Sequence, residues 1–345
     1  MAKRIRIIIV ITIGVVLIAG LLWRNASRQE APKHYRIAVV SRKGAAIYDE
    51  GIANYKKKMS DLGYVEGGNL TYDMREFTDS AELANIIRDV ITQHPDLIHT
   101  YSTPATVEAY KQTKDMPSPI PVVFGSVGDP LAAGIVKGIE YPGTNVTGIA
   151  SLSTELTGNQ LRYLKEIKPS VSRVGMPYSA PELNDAAAKK SVEIAQKTAS
   201  TLGITLILYP VKSKEENASV ARTITKKDVD GIIIGGDSLI WGSIKEYIDQ
   251  AIREKIPMTA FDSTQVKSGA IVGIGPDYSA VGKQAAIISH KILQGSSPGQ
   301  IAVQVPEKFI LSVNLETARA IGLPIPDEFF KGADVVIGKD SYQKQ

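Results

Sequence analysis

The stretch Asp96-Leu-Ile-His-Thr-Tyr-Ser-Thr-Pro104 decides the fold, because a short apolar run ends there in two hydroxyl residues and a proline. An apolar run of this length predicts a buried strand, and proline is favoured in the first turn of a following helix. Asp230-Gly-Ile-Ile-Ile-Gly-Gly-Asp237 has the same layout, and in each half the next apolar run begins at a proline, Pro121 or Pro257. The repetition indicates two similar halves. A chance alignment stays open as the alternative, since generic βα units share apolar strands and a glycine after each helix.

Outward from these stretches, short apolar runs alternate with amphipathic segments along most of the chain. Helical spacing is clear from Tyr48 to Leu62 and from Asn184 to Leu202, and both segments end at a glycine. Such alternation is typical of parallel sheets covered by helices on both faces, so the predicted fold class is α/β with two doubly wound, Rossmann-like lobes. A further helix, predicted from Tyr278 to Leu293, exceeds what one lobe needs and predicts a return of the chain to the first lobe. The predicted first lobe comprises residues 34–150 and 278–312, and the second comprises residues 151–277 and 313–345.

Residues 1–30 differ from the rest of the chain in charge and hydropathy. Lys3, Arg4 and Arg6 precede an apolar run from Ile7 to Trp23, which is short for a membrane span and slightly long for a signal-peptide core. The flanking charges favour a cytoplasmic N-terminus and an exported body. The segment is therefore predicted to be a signal anchor or a cleaved signal peptide, and bulky or charged residues at the cleavage positions favour the anchor. The body is expected in the periplasm or on the outer face of the cytoplasmic membrane, tethered by residues 7–23.

Composition excludes several classes of function. The net charge is +4, and residues 1–30 account for all of it, with five basic residues against one acidic (5 − 1 = +4), so the body is neutral and lacks the basic footprint of a nucleic-acid-binding protein. The absence of cysteine excludes a disulfide framework, a thiolate metal site, a cysteine nucleophile and a lipid anchor on cysteine. The four histidines show no metal-ligand spacing, and no GxGxxG, GxxxxGK[ST] or GxSxG motif occurs. No enzymatic activity, cofactor, metal or nucleic-acid partner is therefore expected.

The loops that follow the predicted strands are the places where an open α/β sheet binds ligands. Ser102 and Thr103 stand before Pro104 at a helix start, where hydroxyls, free N–H groups and the helix dipole suit a carboxylate or another anion. Plain helix capping would need only one of these hydroxyls. Asp237 occupies the equivalent loop of the second half and suits either an ammonium group or, again, only a cap. Opposite polarities across a cleft are what an α-amino acid would require.

Other loop residues complete the candidate set. Asp129 and Asp262 follow the fourth predicted strand of each half and suit either a ligand or a turn. Aromatic side chains near the strand ends, among them Tyr101 and Trp241, could stack on a flat ligand or simply pack. The predicted ligand-binding residues are Ser102, Thr103, Ser126, Asp129, Ser179, Asp237, Ser238, Asp262, Tyr48 and Tyr178.

Several strings follow one another in an order that resembles a known family: Leu62-Gly-Tyr-Val-Glu-Gly-Gly-Asn69, Ser102-Thr-Pro-Ala105, Val127-Gly-Asp-Pro-Leu-Ala-Ala-Gly134, Pro142-Gly-Thr-Asn-Val-Thr-Gly148 and Val313-Asn-Leu-Glu-Thr-Ala-Arg-Ala-Ile-Gly-Leu-Pro-Ile-Pro326. Over residues 34 to 337 the chain resembles the ABC-transporter substrate-binding proteins, in the branch that includes tryptophan- and tyrosine-binding members. The resemblance implies a type I periplasmic-binding-protein fold, whose two lobes are joined by three crossovers and close on a ligand about a hinge. It also implies that Ser102 and Thr103 hold the ligand carboxylate and that Asp237, or Asp262, holds the amine.

The function implied by this resemblance is that of an extracytoplasmic solute-binding component of an ABC importer. It would bind a small solute, an aromatic or apolar amino acid, and deliver it to an ABC permease. The chain departs from the family pattern in lacking a lipid-bearing cysteine and in its loop from Met176 to Asn184. An anchored body without a lipid site also suits a ligand sensor that presents its ligand state to a partner protein. An enzyme on the same scaffold lacks a visible nucleophile–base set, and a LacI-like repressor would carry a helix-turn-helix where this chain has an apolar segment.

Overall fold

The computed structural model describes residues 33–339. The predicted signal segment 1–30 and residues 340–345 lie outside the described residues. Between residues 33 and 339, no helix is both long and apolar enough to cross a membrane.

The first part of the described chain alternates strand and helix. Its elements are β1 (Tyr35–Arg42), α1 (Ala46–Asp61), β2 (Leu70–Phe77), α2 (Leu83–Thr92), β3 (Leu97–Tyr101), α3 (Thr103–Thr113), β4 (Val122–Val127) and β5 (Val146–Ala150). The strands form a five-stranded parallel sheet in the order β2-β1-β3-β4-β5. Strands β3, β4 and β5 are buried along their whole length, which explains why their sequences are nearly continuous apolar runs.

The next part repeats this arrangement. Its elements are α4 (Ser153–Ile167), β6 (Arg173–Ser179), α5 (Ala186–Leu202), β7 (Thr205–Val211), α6 (Lys214–Thr223), β8 (Gly231–Ile233), α7 (Ser238–Trp241), α8 (Ile244–Glu254), β9 (Met258–Ala260), α9 (Ser263–Lys267) and β10 (Val272–Pro276). The last part adds α10 (Tyr278–Leu293), β11 (Phe309–Asn314), α11 (Leu315–Ile321), α12 (Asp327–Lys331) and β12 (Val335–Ile337). The second sheet has the order β12-β11-β10-β9-β8-β6-β7, in which β10 and β11 are antiparallel. The two-lobed α/β fold predicted from the alternating pattern is confirmed.

The chain passes between the sheets three times within the described residues. It leaves the first sheet after β5, returns as α10, and re-enters the second sheet as β11. Helix α10 packs against α1, β4 and β5 of the first sheet. The approach of α10 to α1 requires a glycine at position 282, because a Cβ there would overlap the carbonyl oxygen of Gly51. We call the five-stranded sheet with its helices, α10 included, the first lobe, and the seven-stranded sheet with its helices the second lobe.

One predicted boundary needs correction. Residues 309–312 were assigned to the first lobe, but they belong to β11 and pair with β10, as Ile310 does with Gly275. The apolar pattern of this strand does not predict which sheet it joins, because either sheet would bury it.

Candidate functional site

The two lobes meet along a cleft at the carboxyl ends of their strands. The rings of Tyr48 on α1 and Trp241 on α7 contact each other edge to face across it, with centroids 6.2 Å apart. A Cβ at Gly128, just after β4, would lie 2.9 Å from Cγ2 of Thr154 and 3.3 Å from Cβ of Ala187, both on the second lobe. The lobes are therefore closed on each other, with glycine allowing the backbone of one to approach side chains of the other.

The closed cleft contains a small inner chamber and a large outer chamber. The inner chamber has a volume of about 10 Å³, room for about one water molecule. The outer chamber has a volume of about 590 Å³ and is lined by both lobes. Thr103, Pro104 and Asp185 line both chambers and so mark the passage between them.

Three predicted residues of the first lobe lie close to the inner chamber, but they differ in what their hydroxyls do. Ser102 is buried, has a φ of 102°, and its Oγ accepts a hydrogen bond from the N–H of Ala105 at 3.4 Å, so it caps α3. Thr103 lines both chambers. Ser126 lines the inner chamber and shares a hydrogen bond of 3.1 Å with the hydroxyl of Tyr278. Of the two hydroxyl residues in the loop before Pro104, Thr103 is therefore the one that lines the cleft.

Asp237 is held entirely by its own lobe. Its Oδ1 accepts hydrogen bonds from the N–H of Leu239 and of Ile240, at 3.0 and 3.4 Å, and from the hydroxyl of Ser179 at 2.8 Å, while its Oδ2 accepts from the N–H of Ser179. The carboxylate is fully buried and lines neither chamber. Burial raises the pKa of Asp237, and the hydrogen bonds from Ser179 oppose that shift. Asp237 caps α7 and ties it to the end of β6, while Ser179 itself lines the outer chamber.

The other predicted residues divide between the cleft and positions away from it. Tyr48 and Ser238 line the inner chamber, and the Oγ of Ser238 is buried without a hydrogen-bond partner among the described residues. Asp129 lines neither chamber and caps a turn by accepting from the N–H of Ala132 at 2.9 Å. Tyr178 is half-buried on β6 and also lines neither chamber.

Asp262 borders a third cavity, of about 180 Å³, on the side of the cleft where the chain crosses between lobes. Its Oδ1 caps α9 by accepting from the N–H of Thr264 and of Gln265, at 2.6 and 3.1 Å. Its Oδ2 is buried without a partner among residues 33–339, and burial raises the pKa of this carboxyl to about 6. Asp262 therefore lies apart from the two chambers that Thr103 lines.

Sequence reasoning missed the charged residues of the outer chamber, among them Arg42 and Asp185. The guanidinium of Arg42, at the end of β1, donates to the carbonyl of Thr78 at 2.6 Å and to the hydroxyl of Ser80 at 3.2 Å. The Oδ1 of Asp185 caps α5 by accepting from the N–H of Ala187 at 2.9 Å. The available signal was positional, since Arg42 is the last residue of a strand and Asp185 immediately precedes a helix, at the edge of the sheet that yielded the other candidates.

The protonation of Asp185 is shifted by its surroundings. Burial raises the pKa of its carboxyl to about 7, and the negative charge of Asp237 adds to that rise. Backbone hydrogen bonds and the charge of Arg42 act in the opposite direction. Within the part of the chain that the structure describes, no group of three or more acidic or histidine side chains is arranged to hold a metal ion.

Comparisons with known proteins agree with the two-lobed fold. The family model described as ABC transporter substrate binding protein matches residues 37–337. A protein of Clostridioides difficile (strain R20291), named tyrosine-binding protein, is 28% identical over 93% of this chain and 92% of its own length. The crystal structure of a conserved domain protein from Vibrio cholerae O1 biovar El Tor has a TM-score of 0.81 at 30% identity, covering 88% of this chain and all of that one. A structure from Streptococcus pneumonia, an ABC domain in complex with L-Trp, has a TM-score of 0.80 at 24% identity over the same shares of the two chains.

Proposed function

The chain belongs to the family of ABC transporter substrate-binding proteins, and from this premise we propose that its ligand is an aromatic amino acid held in the cleft between the lobes. Family membership makes the protein the extracytoplasmic substrate-binding component of an ABC importer, and favours that function over a membrane-anchored sensor. Such a component performs no bond chemistry. It binds a solute, closes, and releases the solute to an ABC permease.

The observation that carries the choice of ligand is the pair of aromatic rings that face each other across the cleft. Tyr48 belongs to the first lobe and Trp241 to the second. Trp241 is a fixed platform, because its ring stacks on Phe261 at 4.7 Å and its Nε1–H donates to the carbonyl of Gly235 at 2.9 Å. In the closed lobes the two rings contact each other edge to face, with centroids 6.2 Å apart, and leave no room for a third ring between them. An aromatic side chain would therefore enter while the lobes are open and would be covered by both rings on closure.

The relatives support the same class of ligand. The Clostridioides difficile relative is named for tyrosine binding, and the Streptococcus structure holds L-Trp. Thr103 lies at the passage between the chambers, where its hydroxyl and the N-terminus of α3 suit a carboxylate. We propose that an aromatic amino acid places its ring between Tyr48 and Trp241 and its polar end at this passage.

Closure and tethering complete the proposal. The two lobes would move as rigid bodies about the three crossovers, with residues 34–150 and 278–308 in one and 151–277 and 309–339 in the other. The apolar run from Ile7 to Trp23 would anchor the protein to the outer face of the membrane beside its permease.

The experiment follows ligand binding by the fluorescence of Trp241. The chain has two tryptophans, so Trp23→Phe leaves Trp241 alone. We expect the emission of full-length Trp23→Phe protein, purified in detergent, to saturate on titration with L-tyrosine and L-phenylalanine, but not with L-glutamate or L-leucine. Equilibrium dialysis measures L-tryptophan, which is itself fluorescent.

A second variant tests the role of the rings. Tyr48→Leu, in the Trp23→Phe background, keeps an apolar side chain but removes one stacking face, and we expect binding of the aromatic ligands to weaken about tenfold. Tighter binding of L-leucine than of any aromatic amino acid, or no binding of amino acids at all, would reject the proposed ligand.

A further inference from the structure

The aspartates near the cleft differ in whether a carboxylate oxygen is left without a hydrogen bond and faces a chamber. The second lobe has three aspartates near the cleft that cap helices, Asp185, Asp237 and Asp262. Both carboxylate oxygens of Asp237 accept hydrogen bonds from its own lobe, and Asp262 borders the third cavity. Asp185 alone among these three lines the outer chamber, and it lines the inner chamber too. Both of its hydrogen bonds, from Ala187 and Ala188, go to Oδ1, so Oδ2 accepts none from the described residues.

The first lobe presents a matching positive charge. Arg42 is 3% exposed, and its Nε–H is buried without a hydrogen-bond partner among residues 33–339. Its stem crosses the cleft, since a Cβ at Gly242 on the second lobe would lie 3.4 Å from Cδ of Arg42. A buried guanidinium with an unused donor is costly unless something accepts from it, and a carboxylate does so best.

We propose that Arg42 and Asp185 form a clamp for a zwitterion, in which Arg42 binds the carboxylate of the ligand and Asp185 binds its α-ammonium group. The clamp rests on the proposed function, because it presumes that the ligand is an amino acid. It differs from the arrangement expected from the sequence, in which Asp237 held the amine. One charge comes from each lobe, so a ligand that satisfies both draws the lobes together.

The charges that line the outer chamber nearly cancel, which fits a ligand with no net charge. Asp79, Glu108 and Lys111 line the outer chamber from the first lobe, and Lys212 and Lys214 line it from the second. With Arg42 and Asp185 included, the chamber has four positive and three negative side chains. Lys111 is paired with Glu108 at 3.5 Å and Lys212 with Glu182 at 3.8 Å, which leaves Asp79 and Lys214 beside the two clamp residues.

The test compares three compounds that share a ring and differ only in charge. These are L-tyrosine, 3-(4-hydroxyphenyl)propionate, which lacks the amine, and tyramine, which lacks the carboxylate. Calorimetry on the full-length wild-type protein in detergent should show L-tyrosine binding more tightly than either analogue by about tenfold or more, the effect of one charged hydrogen bond. This comparison needs no variant and so does not depend on how any variant folds.

Two variants then assign the charges. Asp185→Asn keeps a good helix cap, and should weaken L-tyrosine binding about tenfold or more while leaving 3-(4-hydroxyphenyl)propionate unchanged or tighter. Arg42→Gln should weaken L-tyrosine and 3-(4-hydroxyphenyl)propionate while sparing tyramine. The matched control is Glu193→Gln, which changes an exposed carboxylate on α5, the helix that Asp185 caps. Glu193 and its partner Lys190 line neither chamber, so this variant should bind all three compounds as the wild type does.

The outcomes separate the clamp from the proposed ligand. L-tyrosine binding within twofold of wild type in folded Asp185→Asn would reject the clamp and leave the aromatic amino acid in place. Equal weakening of all three compounds would also reject it, because it would indicate a general effect on closure. If no aromatic amino acid bound to the wild type, the proposed ligand would fail and the clamp with it.

Discussion

Asp185 and Asp237 are both aspartates at the start of a helix, and they differ in the number of hydrogen bonds that their carboxylates accept. Each caps a helix that follows a strand of the second lobe, and each is drawn towards the neutral form by burial. Asp237 receives four hydrogen bonds, two of them from Ser179 at the end of another strand. Asp185 receives two, both on one oxygen. Among the described residues, Asp185 therefore keeps one oxygen without a hydrogen bond, whereas Asp237 keeps none, and our proposal for the ligand depends on this difference.

The strongest test of this comparison is Asp237→Ala. The change leaves four buried donors without an acceptor and unties α7 from β6, so we expect the free energy of unfolding to fall by about 3 kcal/mol or more. Urea denaturation measures this as a lower midpoint. Asp237→Asn, which still offers one acceptor oxygen, should lose less.

The comparison would fail if Asp237→Ala lost ligand binding without losing stability against urea. If Asp237→Ala unfolded at the wild-type urea concentration but no longer bound ligand, Asp237 would be a ligand-binding residue, as the sequence predicted. We expect the opposite order, with stability lost first and binding lost only in proportion to the unfolded fraction.

The sequence predicted the lobes well because strand and helix patterns are local. Polar loops after short apolar runs, such as Asp96 to Pro104, identify both the strands and the edge of the sheet where ligands bind. The sequence did not predict that the first residues of β11 belong to the second lobe, because either sheet could bury this strand. Its antiparallel pairing with β10 places it in the second sheet.

The roles of the site residues depend on contacts that no local pattern records. Ser179 and Asp237 are 58 positions apart, and their hydrogen bonds exist only because β6 and β8 are neighbours in the sheet. Arg42 and Asp185 come from different lobes, so closure alone brings them to the same chamber. Residue type and loop position therefore identify the candidates, whereas contacts between distant parts of the chain decide which of them line the chambers and keep an oxygen without a hydrogen bond.

An intermediate effect is expected from Asp185→Asn on stability as a function of pH. Because the folded pKa of Asp185 is about 7, well above its ordinary value, the unfolded chain releases a proton that the folded protein holds. The stability of the wild type should therefore decline as pH rises from about 4 to 7, and Asp185→Asn should lack this part of the decline. At pH 8 we expect the variant to be the more stable of the two proteins, and at pH 4 their free energies of unfolding should coincide.

The difference between the two proteins contains the titration of Asp185 together with that of Asp237, whose charge acts on Asp185, but not that of Asp262. Asp262, with a pKa of about 6, contributes a similar decline, but it is present in both proteins and drops out of the difference. Parallel stability curves for wild type and Asp185→Asn between pH 4 and 8 would mean that the Asp185 carboxyl is as well solvated in the folded protein as in the unfolded chain. In that case the contrast with Asp237 would be one of geometry only.

The smallest effect is expected at Asp129, a third predicted aspartate that completes the series. It accepts one hydrogen bond, from Ala132, at a half-buried turn that borders neither chamber. Asparagine can make the same bond, so Asp129→Asn should change the free energy of unfolding by less than about 0.5 kcal/mol and should not change the dissociation constant for L-tyrosine. Urea denaturation and calorimetry measure the two quantities on one preparation. Weaker binding by this variant at unchanged stability would place a ligand contact outside both chambers, and the number of unused oxygens facing the chambers would then no longer explain which aspartates bind.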